Sequence, residues 1–239
     1  MKIQVIPCLK DNYSYLIIDE QKNIACVIDP SEADPIIDYL ERNEIELKFI
    51  LNTHHHYDHV GGNLRLKEKY GASVIGYKED KERIPEIDVL VNDNETWKYE
   101  NFEAKIIHIP GHTLGHICFY FSKEKSAFTG DTLFSLGCGK IFEGTYSQMY
   151  DSLMKLKELP QDTKIFCGHE YTKKNSDFCI ANDKNNKNLK LKIKDIEIKL
   201  RNNSPTIPST IKEELECNIF LRASNVETFS KLRDLKDNF

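Results

Sequence analysis

The stretch Thr53-His54-His55-His56-Tyr57-Asp58-His59 places four groups able to bind a metal, His54, His56, Asp58 and His59, within six residues. Neutral imidazoles and a carboxylate are the donors that zinc, iron and manganese accept. The stretch follows the apolar run Phe49–Leu51, which reads as a strand, and a strand ending in a tight loop can turn closely spaced side chains toward one point. A lone histidine in such a loop reads as a solvated polar residue; H-x-H-x-D-H behind a strand reads as a ligand cluster. The context then recurs. Lys105–Ile109 runs into Pro110-Gly111-His112-Thr113, Ala127–Thr129 into Gly130-Asp131-Thr132, and Lys164–Cys167 into Gly168-His169-Glu170. Four strands each deliver a His or Asp at their C-terminal end, three of them beside a glycine that permits a sharp turn. Most of the chain's eight histidines lie in these loops.

Further strands that would position these loops are read at Tyr13–Ile18, Ala25–Ile28, Ser73–Ile75 and Ile117–Phe121, with Met1 to Leu16 as the opening strand and turn. Helical stretches sit between some of them. Asp34-Pro35 reads as a cap residue followed by proline at the first helical position. A second stretch runs from about Gly62 to Tyr70 and stops at Gly71. A third follows Thr145-Tyr146-Ser147-Gln148, which has capping-box spacing, and continues to Leu159 before Pro160. Alternating strands and helices of this kind imply a layered α/β domain.

The character changes near Lys173. Between Asn182 and Asn203 the chain is rich in Lys and Asn. Strict alternation fits residues 189–193 and 196–200, whereas Leu189, Ile193, Ile196 and Leu200 form a helical stripe; length and good helix formers favour a helix. Pro205 and Pro208 break the chain, Thr210-Ile211-Lys212-Glu213 has capping-box spacing, and a last helix is read from Thr228 to Lys236. These features predict a catalytic domain over residues 1–173 and a small helical domain over 174–239.

At 239 residues the chain can bury a sizeable core. Hydrophobic content of 40% with 30% charged residues fits an ordinary globular protein. The net charge of −5 argues against a nucleic-acid partner, because phosphate binding needs a basic excess. No apolar run approaches the roughly 20 residues that span a bilayer, so no membrane partner is expected. The N-terminus lacks a signal peptide's apolar core. The seven cysteines are odd in number, scattered and without a C-x-x-C pair, which points away from a disulfide framework and toward a cytoplasmic location.

The motifs together resemble the metallo-β-lactamase superfamily, and within it glyoxalase II. Gly111-His112-Thr113-Leu114-Gly115-His116, Gly130-Asp131-Thr132-Leu133-Phe134, Gly137-Cys138-Gly139-Lys140 and Cys167-Gly168-His169-Glu170-Tyr171 all look like that family's segments. The resemblance implies an α/β fold, a four-layer αββα sandwich carrying the small C-terminal helical domain. It implies His54, His56 and His112 on one metal, Asp58, His59 and His169 on a second, and Asp131 bridging them, with Asp58 and Asp131 as the catalytic carboxylates. Two divalent ions would be the cofactors, zinc foremost, with iron or manganese as alternatives in one site. His55 reads as a loop residue turned away or bonding the backbone, His116 as a group behind the ligands, and His108 as packing within its strand.

The activity implied is hydrolysis of S-(2-hydroxyacyl)glutathione, typically S-D-lactoylglutathione, to glutathione and D-lactate by a metal-bridging hydroxide, a step in methylglyoxal detoxification. By the same resemblance Lys140, Phe142 and Tyr171 line the glutathione site, and Arg233 and Lys236 grip the glycine carboxylate. Some relatives carry tyrosine at position 142; here Phe142 can stack but offers no phenolic hydrogen bond. Cys138 between two glycines invites a Cys–His scheme, but the histidines are better used as ligands. Three rivals remain open at this level. A single-iron glutathione persulfide dioxygenase on the same fold would leave Asp58, His59 and His169 idle. A nuclease would need a basic groove, and a non-catalytic binding protein would not need all seven ligand positions filled.

Overall fold

A computed structural model describes all residues, Met1–Phe239. The chain divides into two compact units, one of Met1–His108 with Gly115–Glu124, the other of Ile109–Leu114 with Lys125–Phe239.

The first unit is built on a six-stranded sheet in sequential order. β1 (Lys2–Cys8), β2 (Asn12–Asp19) and β3 (Ile24–Ile28) form an antiparallel meander, with Lys2 opposite Ile18 and Tyr15 opposite Ile28. α1 (Asp34–Arg42) then crosses to β4 (Glu46–Leu51), which runs parallel to β3. The short helices α2 (Tyr57–Val60) and α3 (Asn63–Tyr70) lead to β5 (Ser73–Tyr77), and β6 (Ile87–Val91) closes the parallel edge. β7 (Thr96–Tyr99), β8 (Phe102–His108) and β9 (Ile117–Phe121) pair in turn as an antiparallel ladder.

Every residue of β2 and β3 is buried. Strands covered on both faces read as continuous apolar runs, and Ile24-Ala25-Cys26-Val27-Ile28 is such a run. One face of the sheet packs Leu16, Val27 and Ile50 against Ile36, Ile37 and Leu40 of α1 and Leu66 of α3. α1 begins one residue earlier than Asp34-Pro35 implies. Ala33 is the cap position and makes no side-chain bond, while Asp34 stands in the first helical turn with Pro35. There the aspartate suits the positive end of the helix dipole, and it pairs with Arg65 at 2.5 Å. α3 stops at Gly71, whose φ of 66° is the left-handed cap conformation.

In the second unit β10 (Ser126–Gly130) is followed by the two-residue strands β11 (Leu133–Phe134) and β12 (Gly137–Cys138), which form a hairpin. α4 (Tyr146–Lys157) starts on the capping box of Thr145 and Gln148 and ends two residues before Leu159. β13 (Lys164–Cys167) runs parallel to β10, and β14 (Ser209–Thr210) lies antiparallel to β13. The remainder is helical: α5 (Thr172–Asn182), α6 (Lys187–Arg201), α7 (Ile211–Cys217) and α8 (Val226–Asp237). α6 resolves the ambiguous Lys/Asn-rich stretch as a helix. Leu189 and Ile196 are buried, and the alternating residues Leu191 and Ile198 face out. Asn186 caps it, accepting from Leu189 N at 3.0 Å. No helix is long and apolar enough to cross a membrane.

Candidate metal centre

In the first unit the strand β4 ends at Leu51, and the chain turns through Asn52 and Thr53 into the histidine loop. The turn is held from behind by Asp29, which follows β3. Asp29 Oδ1 accepts from Thr53 N at 2.7 Å, and its Oδ2 accepts from the Thr53 hydroxyl at 2.6 Å. The same Oδ2 lies 2.9 Å from His59 Nδ1, and Thr53 Oγ1 lies 3.0 Å from His54 Nδ1. A carboxylate only accepts, so His59 Nδ1 carries a proton. The single hydroxyl hydrogen of Thr53 is spent on Asp29, so His54 Nδ1 carries one too. In the neutral ring this leaves Nε2 unprotonated in both, the tautomer a metal-binding histidine takes when its outer nitrogen is hydrogen-bonded.

Around these two rings the loop brings the other candidates together. The His54 and His56 ring centres are 4.7 Å apart and those of His54 and His59 4.2 Å. His59 Nε2 stands 3.8 Å from Asp58 Oδ2. Asn12 donates from Nδ2 to both the carbonyl and Oδ2 of Asp58, each at 3.0 Å, which fixes the carboxylate's direction. Asp29, His54 and His59 offer ligand atoms within 4.8 Å of one another. The Asp29 oxygens are already bound by Thr53 and a ring N–H, which suits a partner behind the two histidines.

The remaining histidines of this unit take other positions. His55 turns away to Asp80, with Nδ1 3.3 Å from Oδ2. Burial pushes the Asp80 carboxyl up, but His55 and Arg83 outweigh it and hold it below the usual range. His116 is fully buried and stacks on His54, rings 4.5 Å apart. His108 stacks on Tyr77 at 4.5 Å.

The second unit assembles His112, Asp131 and His169. β10 carries a register shift between Phe128 and Gly130, and Gly130 has a φ of 46°, so the chain bends sharply just before Asp131. Thr132 N donates back to Thr129 O at 3.0 Å and Gly139 N to Thr132 O at 3.2 Å, closing the loop. A Cβ on Gly139 would fall 1.8 Å from the Asp131 carbonyl oxygen, so only glycine lets the two backbones approach. Asp131 Oδ2 lies 3.5 Å from His112 Nε2 and 3.3 Å from His169 Nε2. Donors bound to one ion at about 2.0–2.2 Å stand roughly 3.0–3.6 Å apart. At that separation the Asp131 oxygen could share a cation with either imidazole. His112 Nδ1 is 2.7 Å from the Lys140 carbonyl, which again leaves Nε2 for a ligand role.

The candidate substrate residues lie on the same unit. Lys140 is exposed, with its ammonium 5.8 Å over the Phe142 ring, and Phe142 meets the His112 ring edge-on at 5.1 Å. Tyr171 stacks on His169 at 4.7 Å, the planes 4° apart. Lys236 on α8 donates to the Lys174 carbonyl at 3.1 Å and sits over the Phe178 ring; burial, then the charge of Arg233, lowers its pKa. Arg233 is 5% exposed, and its guanidinium donates to the Cys138 carbonyl at 2.8 Å and to Asp237 at 2.9 Å. Cys138 itself is buried, and burial raises its thiol pKa, an environment that disfavours a nucleophilic thiolate. All seven cysteines are free and buried.

No motif in the sequence singles out Asn12, Asp29 or Asp80. Asp29 had a usable signal, since it too follows a buried strand directly and precedes a proline. Asn12 and Asp80 had none, because neither stands beside the ligand motif in the chain.

The metallo-beta-lactamase superfamily model matches residues 10–169, and the model for the hydroxyacylglutathione hydrolase C-terminus matches residues 170–239. The chain is 77% identical over 239 residues to the hydroxyacylglutathione hydrolase of Pelagibacter ubique (strain HTCC1062), covering 100% of both chains. It is 40% identical to that of Methylococcus capsulatus, covering 100% of this chain and 99% of the relative. Among solved structures, ETHE1 from Myxococcus xanthus is similar at a TM-score of 0.76 and 24% identity, covering 98% of this chain and 90% of that one. The BLEG-1 B3 metallo-beta-lactamase is similar at 0.73 and 21%, covering 92% and 99%. These two likenesses concern the fold, which is of the metallo-β-lactamase α/β type. The expected fold class is therefore observed.

Proposed function

The chain belongs to the hydroxyacylglutathione hydrolases of the metallo-β-lactamase superfamily, thioester hydrolases, and we propose that its seven strand-end ligands hold two divalent ions that serve this hydrolysis. In this reading His54, His56 and His112 hold one ion, Asp58, His59 and His169 the other, and Asp131 is shared. The observation that carries it is the position of Asp131 Oδ2 between the Nε2 atoms of His112 and His169, at 3.5 and 3.3 Å. When bound, a pair of such ions supplies an acidified water and a Lewis acid for the thioester carbonyl.

The chain's own residues do the rest. Asp29, Thr53 and the Lys140 carbonyl fix the proton on Nδ1 of three histidines and so aim Nε2 inward. Asn12 holds one oxygen of Asp58. The leaving group is a thiolate, whose conjugate acid has a pKa near 8.5, so no side chain need protonate it at neutral pH. Lys140, Phe142, Tyr171 and Lys236 are the proposed glutathione contacts, lysines for its carboxylates and aromatic rings for its peptide faces. Arg233 joins them with a second duty, since its guanidinium already serves Cys138 and Asp237.

S-D-lactoylglutathione is the proposed substrate, zinc the proposed principal metal and the cytoplasm the proposed location. The purified chain should contain about two metal ions and hydrolyse S-lactoylglutathione, and a chelator should abolish the activity. Oxygen consumption with glutathione persulfide, in a chain that leaves the thioester intact and carries one iron, would overturn this reading.

A further inference from the structure

The hydrogen bonds behind the histidine loop converge on one atom. Asp29 Oδ2 accepts from His59 Nδ1 at 2.9 Å and from the Thr53 hydroxyl at 2.6 Å, and that hydroxyl in turn accepts from His54 Nδ1 at 3.0 Å. His54 and His59 are the two most buried ligands of the loop, at 0% and 1% exposure, and Asp29 is itself 2% exposed. We propose that Asp29 is a common positioning residue for both metal sites, acting directly on His59 and in series through the Thr53 hydroxyl on His54. The inference rests on the proposed function, in which His54 and His59 hold different ions.

The geometry makes the arrangement a relay rather than two separate supports. A carboxylate that accepts from the His59 ring N–H raises the basicity of that ring's Nε2 and fixes its plane, and the Thr53 hydroxyl that it orients does the same, more weakly, for His54. Asp29 holds the Thr53 hydrogen away from His54, which keeps the hydroxyl oxygen's lone pairs facing the His54 Nδ1–H, so the bond to Asp29 supports the bond to His54. Asp29 is also anchored through Oδ1 to the Thr53 amide, which keeps Oδ2 between its two donors. An amide in its place keeps the shape but not the function. With its oxygen on the Thr53 amide, its NH2 would face a hydroxyl and a ring N–H that both need an acceptor.

The test is metal binding by the full chain, stripped with a chelator and titrated with Zn2+ against a chromogenic competitor. Wild type should bind two ions. Asp29→Asn should weaken both binding constants, each by roughly 10–100-fold, the usual cost of losing an outer hydrogen-bond partner of a ligand. Thr53→Val should weaken only one of them, and Thr53→Ser, which keeps the hydroxyl, should restore it. For the ion held by His54, the double variant Asp29→Asn with Thr53→Val should be no worse than Asp29→Asn alone, because groups acting in series do not add. Near-ultraviolet circular dichroism of the metal-free variants separates a lost fold from a lost site.

If Asp29→Asn weakens one constant only, or if the two substitutions add at the His54 site, the relay is wrong while the two-metal reading stands. A wild-type stoichiometry of one would sink both. Should Asp29→Asn fail to fold, the pattern of Thr53→Val and Thr53→Ser decides alone: Thr53→Val with no effect on either constant, or no rescue by serine, overturns the relay.

Discussion

The histidine loop and the β11–β12 hairpin are both short turns, yet they are held by different kinds of partner, residues of strands and strand ends in the first and of helices in the second. Residues 53–59 are tied by short internal bonds, Thr53 to His54 and His59 N to His56 O at 2.8 Å, and by residues of the strands and strand ends around them: Asp29 to both ends, Asn12 to Asp58, and the Ile117 amide to the Thr53 carbonyl. The hairpin tip is clamped by side chains from distant helices. The Ser135 carbonyl accepts from Asn175, the Leu136 carbonyl from Cys179, the Gly137 carbonyl from Asn218 and the Cys138 carbonyl from Arg233, while Leu136 N donates to Glu214. These partners lie 40 to 95 positions away along the chain. The first loop carries its candidate ligands in its own sequence. A loop that is held by others leaves its chemistry on helices whose buried faces are polar.

The largest effect should come from Asp131, where the proposed ligand duty meets the hairpin's neighbour Gly139. Asp131→Ala should drop metal content below two ions and lower kcat by on the order of 10²–10³-fold. His55→Ala, in the middle of the histidine loop but turned to Asp80, should leave two ions bound. If His55→Ala costs an ion as well, adjacency in the loop rather than side-chain direction decides ligation, and the contrast with the hairpin, where the partners' side chains decide, fails.

Glu214 tests the clamp. It is fully buried, and burial raises its carboxyl pKa to about 7 from 4.5. Because the folded pKa is the higher one, the unfolded chain releases this proton first as pH rises. Stability from this group is complete below about 4.5 and is lost as pH climbs to about 7, by on the order of 3 kcal/mol. Glu214→Gln should flatten that slope. Denaturant midpoints at pH 5 and pH 8 should converge in the variant and stay apart in wild type. An equal spread in both would mean that the carboxylate has a partner that stabilises its charge.

Smaller, and aimed at the difference between holding substrate and holding the hairpin, is the pair on α8. Lys236→Ala should raise KM about 10-fold with kcat little changed, as loss of a contact made equally to substrate and transition state requires. Arg233→Ala should raise KM and also lower kcat, because the Cys138 carbonyl loses its donor next to Gly139 and Lys140. A pure KM effect at both positions would reduce the clamp at Cys138 to packing.

What was legible follows the same division. All four strand-end loops could be read, because each places its His or Asp within three residues of a β-rich run. The capping boxes at Thr145 and Thr210 could be read from local spacing, and α6 as a helix from the length and composition of its stretch. α5 could not: its buried residues include Thr172, Asn175 and Ser176, so it lacks the apolar stripe that marks a helix. β6 and β7 were also missed. Ile87-Asp88-Val89-Leu90-Val91 exposes Val89 and Leu90 by 38% and 40%, which blurs the alternation that marks a half-buried strand. The substrate role of Arg233 rests on the resemblance alone; nothing local in Leu232-Arg233-Asp234 announces that its guanidinium is buried against a carbonyl 95 positions earlier.

The smallest prediction asks whether the clamp depends on α7 as a helix or only on Glu214 and Asn218 as side chains. Thr210 caps α7 by accepting from Glu213 N at 3.2 Å, and Glu213 returns the bond to Thr210 N at 2.9 Å. Thr210→Ala should cost about 1 kcal/mol of stability, the usual value of an N-cap, read as a shift in denaturant midpoint with unchanged slope. Asn218 sits just past the far end of the helix and donates to the Gly137 carbonyl at 3.0 Å, so fraying at the first turn need not reach it. Kinetic constants should therefore stay at wild-type values while stability falls. If Thr210→Ala lowers kcat as Arg233→Ala does, the whole helix transmits its order to the hairpin, and the contrast between a strand-held loop and a helix-clamped one extends beyond the residues that touch it.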